Sequence, residues 1–218
     1  MENNKTDEGR VLLVDKPYEW TSFDVVNKLR YKLGIKKIGH AGTLDPLATG
    51  LLIICVGRMT KRIEEFMGME KEYTGTFVVG QNTPSHDLET EPGPAQPIGH
   101  LTEADIRNAV VPFRGTISQI PPVHSAIRVG GKRAYSFARK GKELELKPRE
   151  VEVREFEITG IDLPNVHFRI VCSKGTYIRS LARDYGNALG TGAYLSVLCR
   201  TRIGEFRLEN ALAIADVS

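Results

Sequence analysis

Three cysteines in 218 residues are too few for a fold built on disulfides. Cys55, Cys172 and Cys199 lie far apart, each in an apolar stretch, and no CxxC occurs. They read as buried reduced thiols of a cytoplasmic protein. Zinc-ligand spacings, GxGxxG and the P-loop are also missing, so metal and nucleotide chemistry have no motif to rest on. No apolar run approaches the length that spans a bilayer. The opening MENNKTDEG lacks the apolar segment of a signal peptide, and residues 1–9 read as a flexible tail. Neither sign of charge dominates: 30 Lys and Arg stand against 27 Asp and Glu, a net charge of +3. That balance permits a nucleic-acid partner without requiring one.

The charge is unevenly placed. Lys28, Arg30, Lys32, Lys36 and Lys37 form one basic cluster, and residues 128–149 form a second with only Glu143 and Glu145 among its cations. Each fits a solvated face as well as a polyanion site.

Local signals outline an α+β fold with a mixed central β-sheet flanked by helices. VLLVD (11–15) reads as a strand. Thr21 with Asp24 makes a capping-box pattern, Phe23, Val26, Leu29 and Leu33 follow at near-helical spacing, and Gly34 ends the helix. GHAGTLDPLATG reads as a loop, then LLIICVG as a buried strand. Residues 59–67 read as helix and 71–80 as strand. Residues 82–100, with Pro84, Pro92, Pro94 and Pro97, read as an exposed loop. Thr102 to Phe113 reads as a helix with its own capping box. VGGK suggests a tight turn, and residues 133–141 a short basic helix. VEVREFEI and VHFRIVC alternate with period two, as half-buried strands do. Thr176 to Leu189 reads as a helix burying Ile178, Leu181, Ala182, Tyr185 and Leu189. Short strands are expected near 195–200 and 204–208. Strands and helices do not alternate regularly, which argues against a doubly wound sheet.

Asp45, alone in a glycine-flanked loop before an apolar strand, fits either an ordinary turn aspartate or a presented reactive group. A metal pair with His40 lacks a third ligand nearby.

Several stretches must be taken together: Lys16-Pro17, GHAGTLDPLATG, GRMTK ending in Lys61, KEY ending in Tyr73, IPPVHSAIRVGGKRAYSFARKG, GTYIRSLARD and LCRTRIGEF. In this order and at these separations they resemble the TruB family of tRNA pseudouridine synthases, over roughly residues 10–215. The resemblance implies an isomerase that converts the T-loop uridine, position 55, to pseudouridine by flipping the base out. It implies no cofactor and no metal. Asp45 matches the family's catalytic aspartate, Tyr73 a tyrosine that stacks on uracil, and Arg179 an arginine that balances charge and holds phosphate. His40 matches the histidine that fills the gap left by the flipped base, Lys61 a lysine near the site, and Leu198 an apolar residue of the uracil pocket. Arg128, Lys132 and Arg133 fall in a basic insertion, about 120–150, that grips the T arm in the family. Arg183 reads as a surface arginine or a phosphate contact.

The implied partner is tRNA, bound by a monomer with no membrane association and no obligate protein partner. The catalytic domain is expected over 10–218, with no C-terminal PUA domain. Departures are modest: KPYEWTS replaces a glycine-containing turn, Arg128 stands where lysine is usual, Cys199 where arginine is common, and Tyr194 near a usual histidine. Two rival readings are a tRNA-folding chaperone without catalysis and a relative that works with guide RNAs.

Overall fold

Thr21 caps the first helix as its sequence pattern predicts: its hydroxyl accepts the Asp24 N–H, and the Asp24 carboxylate accepts the Thr21 N–H. Gly34 closes that helix at φ 65°, a conformation glycine adopts without penalty. The computed structural model describes residues 9–123, 128–129, 132–133 and 146–218. The strands are β1 (Arg10–Lys16), β2 (Ile38–His40), β3 (Ala48–Val56), β4 (Lys71–Val79), β5 (Gly115–Gln119), β6 (Arg128–Val129), β7 (Lys132–Arg133), β8 (Arg149–Asp162), β9 (Asn165–Cys172), β10 (Ala193–Ile203) and β11 (Phe206–Arg207). The α-helices are α1 (Ser22–Leu33), α2 (Ile63–Gly68), α3 (Glu103–Asn108) and α4 (Ile178–Ala188). Among the described residues no helix is long and apolar enough to cross a membrane.

The chain divides into two compact units, Met1–Thr74 with Val197–Ser218 and Gly75–Ser196. In the first, β3 is the central strand. β1 runs antiparallel along one edge, from Arg10 opposite Val56 to Lys16 opposite Gly50. The other edge is shared. β2 pairs antiparallel with Ile54 and Val56, and β10 pairs parallel with Ala48, Thr49 and Gly50. Leu52, Ile54 and Val56 pack with Val14 and with Val25, Val26 and Leu29 of α1. Leu51, Ile53 and Cys55 face the other way, into a cluster with Ala41, Phe66 and Ile203. Covering on both faces is why LLIICV is an unbroken apolar run. The C-terminal segment closes the outer edge of β1: Leu212 exchanges backbone bonds with Leu13 and Asp15 at 2.9 and 3.0 Å.

In the second unit β8 is central, antiparallel to β5 on one side and β9 on the other. Phe77, Phe156, Phe168 and Tyr185 form an aromatic core, with the Phe77 and Phe168 rings stacked at 4.2 Å. The Tyr185 hydroxyl donates to the Ile106 carbonyl at 3.0 Å, tying α3 to α4. Ile178, Leu181, Ala182, Tyr185 and Leu189 are buried as their spacing predicts.

The α+β reading, with a sheet mixing parallel and antiparallel pairs, therefore holds. Several finer expectations do not. Phe23 is 60% exposed, because the buried stripe of α1 runs through Ser22, Val25, Val26 and Leu29, about a third of a turn away. β3 begins at Ala48 rather than Leu51, and β2 lies at the head of the expected loop. The two short C-terminal strands are one long strand, β10, followed by the two-residue β11. β5 carries no strong alternation and was not expected. The helix from Thr102 stops at Asn108, and a 3₁₀ turn follows at Val111–Phe113, with Pro112 inside it. Cysteines 55 and 172 are buried, while Cys199 is half-buried. Residues 1–8, the Gly130-Gly131 turn and residues 134–141 of the basic helix expected over 133–141 lie outside the described residues, while Arg133, its expected first residue, belongs to β7.

Candidate active site

The loop Ala41–Leu47 takes its shape from side chains far away in sequence. β2 and β10 leave the middle of one β3 edge uncovered, and Arg200 fills that gap. Its guanidinium, 1% exposed, donates from Nε to the Leu51 carbonyl at 2.8 Å and from Nη2 to the Gly42 carbonyl at 3.1 Å. A buried arginine thus replaces a missing strand neighbour. On the other side of the loop the Ser22 hydroxyl accepts the Leu44 N–H at 2.9 Å and donates to the Leu44 carbonyl at 3.2 Å. Ser22 is 2% exposed, so both bonds are made away from water.

Asp45 follows Leu44 and starts a tight turn. The Ala48 N–H bonds back to the Asp45 carbonyl at 3.1 Å, and Pro46 takes the second turn position, where its fixed φ fits. Lys16, fully buried, holds the turn from beneath. Its Nζ donates to the carbonyls of Pro46 at 3.1 Å, Pro17 at 2.9 Å and Trp20 at 2.5 Å. Burial pushes the Lys16 ammonium down to about 8, and Arg200 adds to the fall, while the Asp45 carboxylate works against it. Asp45 itself is half-buried.

The other candidates of this unit are placed as follows. His40 ends β2, half-buried. Its pKa is lowered by burial first and then by Arg200, opposed in part by the Gly42 backbone. Among the described residues its buried Nδ1 meets no hydrogen-bond partner. Leu198, 7% exposed, pairs with Ala48 across the β10–β3 ladder, three residues from Asp45. Tyr73 is buried on β4. Its neighbour Glu72 receives the Thr201 hydroxyl of β10 at 2.8 Å. Lys61 is exposed on the 3₁₀ helix Gly57–Arg62.

Arg179 belongs to the second unit. It is 3% exposed on the first turn of α4, and its Nη1 lies 3.4 Å from both the Asp87 carboxylate and the Ser85 carbonyl. The segment expected to be an exposed loop is therefore partly core: Thr83, Ser85 and Asp87 are at most 4% exposed. The Thr83 and Ser85 hydroxyls donate to the Asp87 carbonyl at 2.7 and 3.1 Å, and the Glu89 N–H donates to its carboxylate at 3.0 Å. Proline content misled because these polar side chains satisfy one another and need no water. His86, between them, has φ 62°. Arg183 pairs with Asp184 at 2.7 Å and donates to the Ile120 carbonyl at 3.2 Å.

Arg128 and Arg133 pair through their backbones, as do Val129 and Lys132, in the short β6–β7 ladder. The side chains of Arg128, Lys132 and Arg133 lie outside the described residues. Among the described residues no three His, Cys, Asp or Glu side chains group as metal ligands. Sequence reasoning missed Ser22, Arg200 and Asp87. The Thr and Ser spaced before Asp87 are the one local signal that could have marked it, as hydroxyls that fold a turn onto its carbonyl.

Residues 30–178 match the family model described as TruB family pseudouridylate synthase (N terminal domain). The chain is 54% identical over 214 residues to tRNA pseudouridine synthase B of Flavobacterium johnsoniae, covering 95% of this chain and 93% of that protein. It is 55% identical over 213 residues to the Phocaeicola vulgatus protein of the same name, covering 95% and 91%. Among solved structures it resembles a chain of a Cbf5-Nop10-Gar1 complex, at TM-score 0.75 and 30% identity, over 94% of this chain and 52% of that one. The chain thus spans about half the length of that solved chain.

Proposed function

This chain belongs to the TruB family of pseudouridylate synthases, and from that premise we propose that it converts the T-loop uridine of tRNA, position 55, to pseudouridine. The observation that carries the reading is the Asp45 turn. The loop that carries this half-buried carboxylate is held at three backbone points, by Ser22 at Leu44, Lys16 at Pro46 and Arg200 at Gly42. Such bracing suits a side chain whose position matters more than local stability does. The solved chains it resembles are about twice as long and come from assemblies with Nop10 or Gar1. The tRNA-acting relatives match it nearly end to end, which favours a stand-alone tRNA enzyme over a guide-dependent one.

The reaction breaks the bond between uracil N1 and ribose C1′ and forms one between C5 and C1′. C5 loses a proton and N1 gains one, so no electron or group is supplied or lost. The chemistry calls for no cofactor and no metal. The flipped uridine stacks on Tyr73, with Leu198 lining its pocket and His40 filling the space it vacates. Asp45 acts at the sugar or base while the bond to N1 is broken, and then helps to move the proton. Arg179 balances charge beside the phosphates, and Lys61, with Arg128, Lys132 and Arg133, contacts the RNA backbone. Affinity resting on such cations falls as salt rises. Residues 10–218 act as one catalytic domain, in a cytoplasmic monomer.

The test is pseudouridine formation in a T-arm hairpin by the wild type and Asp45→Asn. The wild type is expected to yield product at the T-loop uridine. The variant should bind RNA but lose activity by on the order of 10³-fold or more. RNA binding without product from the wild type would instead support a tRNA-folding chaperone.

A further inference from the structure

Gln119 is the last residue of β5 and is 1% exposed. A primary amide so placed costs stability unless its bonds are made. Both ends are in use, and on the same residue: Oε1 accepts the Tyr177 N–H at 2.8 Å, and Nε2 donates to the Tyr177 carbonyl at 3.1 Å. Tyr177 is the residue from which α4 starts, and its own side chain makes no capping bond. The Gln119 amide therefore supplies from another strand the anchoring that a polar N-cap residue gives its own helix.

The anchoring continues along one face. The Ser180 hydroxyl donates to the Ile120 carbonyl at 2.8 Å, and Arg183 Nη2 donates to the same carbonyl at 3.2 Å. Residues 177, 180 and 183 follow at nearly one per turn, so the bonds to residues 119 and 120 fix the rotation of α4 about its axis. Arg179 lies inside this bonded stretch. Its guanidinium meets Asp87 at the far end, while its backbone is set by Gln119 and Ile120 at the near end. An apolar side chain of the same shape would fill the volume as well. The amide adds orientation.

We infer that Gln119 is a positioning residue for Arg179 and sets the pose in which that arginine serves the reaction. This rests on the assignment of Arg179 given above. The test compares single-turnover pseudouridine formation and hairpin affinity for the wild type, Gln119→Met, Gln119→Glu and Arg179→Lys, and for Gln119→Met combined with Arg179→Lys. Gln119→Met keeps the volume and loses both bonds. Gln119→Glu keeps the acceptor for the Tyr177 N–H but sets an oxygen against the Tyr177 carbonyl. Both should slow the chemical step by roughly 10- to 100-fold while RNA affinity stays within about threefold, the pattern of a displaced catalytic group. In the Arg179→Lys background, Gln119→Met should add less than about twofold, because both changes act through one side chain. A Gln119→Met rate within twofold of the wild type overturns the inference, as does full multiplication of the two effects. Should Gln119→Met fail to fold, Gln119→Glu, which disturbs only the bond to the Tyr177 carbonyl, carries the same comparison. A Gln119→Glu rate equal to wild type then overturns it. A wild type that forms no product overturns the functional reading and this inference together. An active wild type with an unimpaired Gln119→Met overturns this inference alone.

Discussion

Arg179 and Asp87 form an ion pair inside the second unit, Nη1 to Oδ2 3.4 Å, with side chains 4% and 5% exposed. Removing one partner of such a pair leaves the other charge buried, which costs more than the pair contributes when intact. Asp87→Ala is expected to lower stability by about 3–5 kcal/mol, with a matching fall in melting temperature. Asp87→Asn, which keeps an acceptor for the Glu89 N–H, should cost less. Equal melting temperatures for Asp87→Ala and the wild type would count against the pair as described.

The Ser22 hydroxyl holds both backbone groups of Leu44, the residue before Asp45. Ser22→Ala leaves a buried N–H and a buried carbonyl to find new partners, at about 1–3 kcal/mol. Pseudouridine formation should drop with RNA affinity unchanged, because the turn bearing Asp45 loosens while no RNA contact is lost. Parallel binding and turnover assays separate these. A fall in affinity alone contradicts the bracing role.

Gly50 sits at φ 99°, and a Cβ there would lie 2.5 Å from the Arg200 carbonyl oxygen and 2.8 Å from its nitrogen. Those atoms belong to the β10–β3 ladder and cannot move without breaking it. Gly50→Ala should leave little folded protein. Gly34→Ala is the control: φ is 65° but nothing lies within 4 Å, so only the backbone strain of about 1 kcal/mol applies. Soluble yield and circular dichroism distinguish the two.

His86 should make stability fall in mild acid. Its pKa is pushed down to about 4, by burial first and then by the Arg183 and Arg179 guanidinium groups, with Asp184 and Asp87 opposing. In the unfolded chain it titrates near 6.5. Between pH 6.5 and 4 the unfolded chain takes up a proton that the folded chain refuses. The contribution is therefore full above pH 6.5 and is lost as pH drops toward 4. Urea titrations at pH 7.5 and 5 should show the loss in the wild type. His86→Asn, which tolerates the φ of 62°, should flatten that part of the profile. An unchanged pH slope in the variant would assign the effect to another group.

Some of this was readable in the chain itself. Both capping boxes, at Thr21 and Thr102, were legible because each closes within three residues. The buried face of α4 and the alternation of β8 and β9 were legible because periodicity reports which side meets the core. Phe23 was misread because one apolar side chain at nearly the right spacing satisfies a pattern without satisfying a packed face. The polar segment around Asp87 was misread because composition cannot tell a hydroxyl that faces water from one that meets another hydroxyl.

The sequence by itself determined the capped starts of α1 and α3, the alternating strands β8 and β9 and the loop that bears Asp45, each through residue order over a short span, where propensity, capping and turn chemistry act. The family was legible from the order of its motifs along nearly the whole chain. Only the tertiary structure decided what holds the candidate residues in place. Ser22 on Leu44, Lys16 on Pro46, Arg200 on Gly42, Gln119 on Tyr177 and Asp87 on Arg179 all join residues distant along the chain. A buried polar group must be paired, but nothing local to it names its partner; the fold chooses that partner when it excludes water.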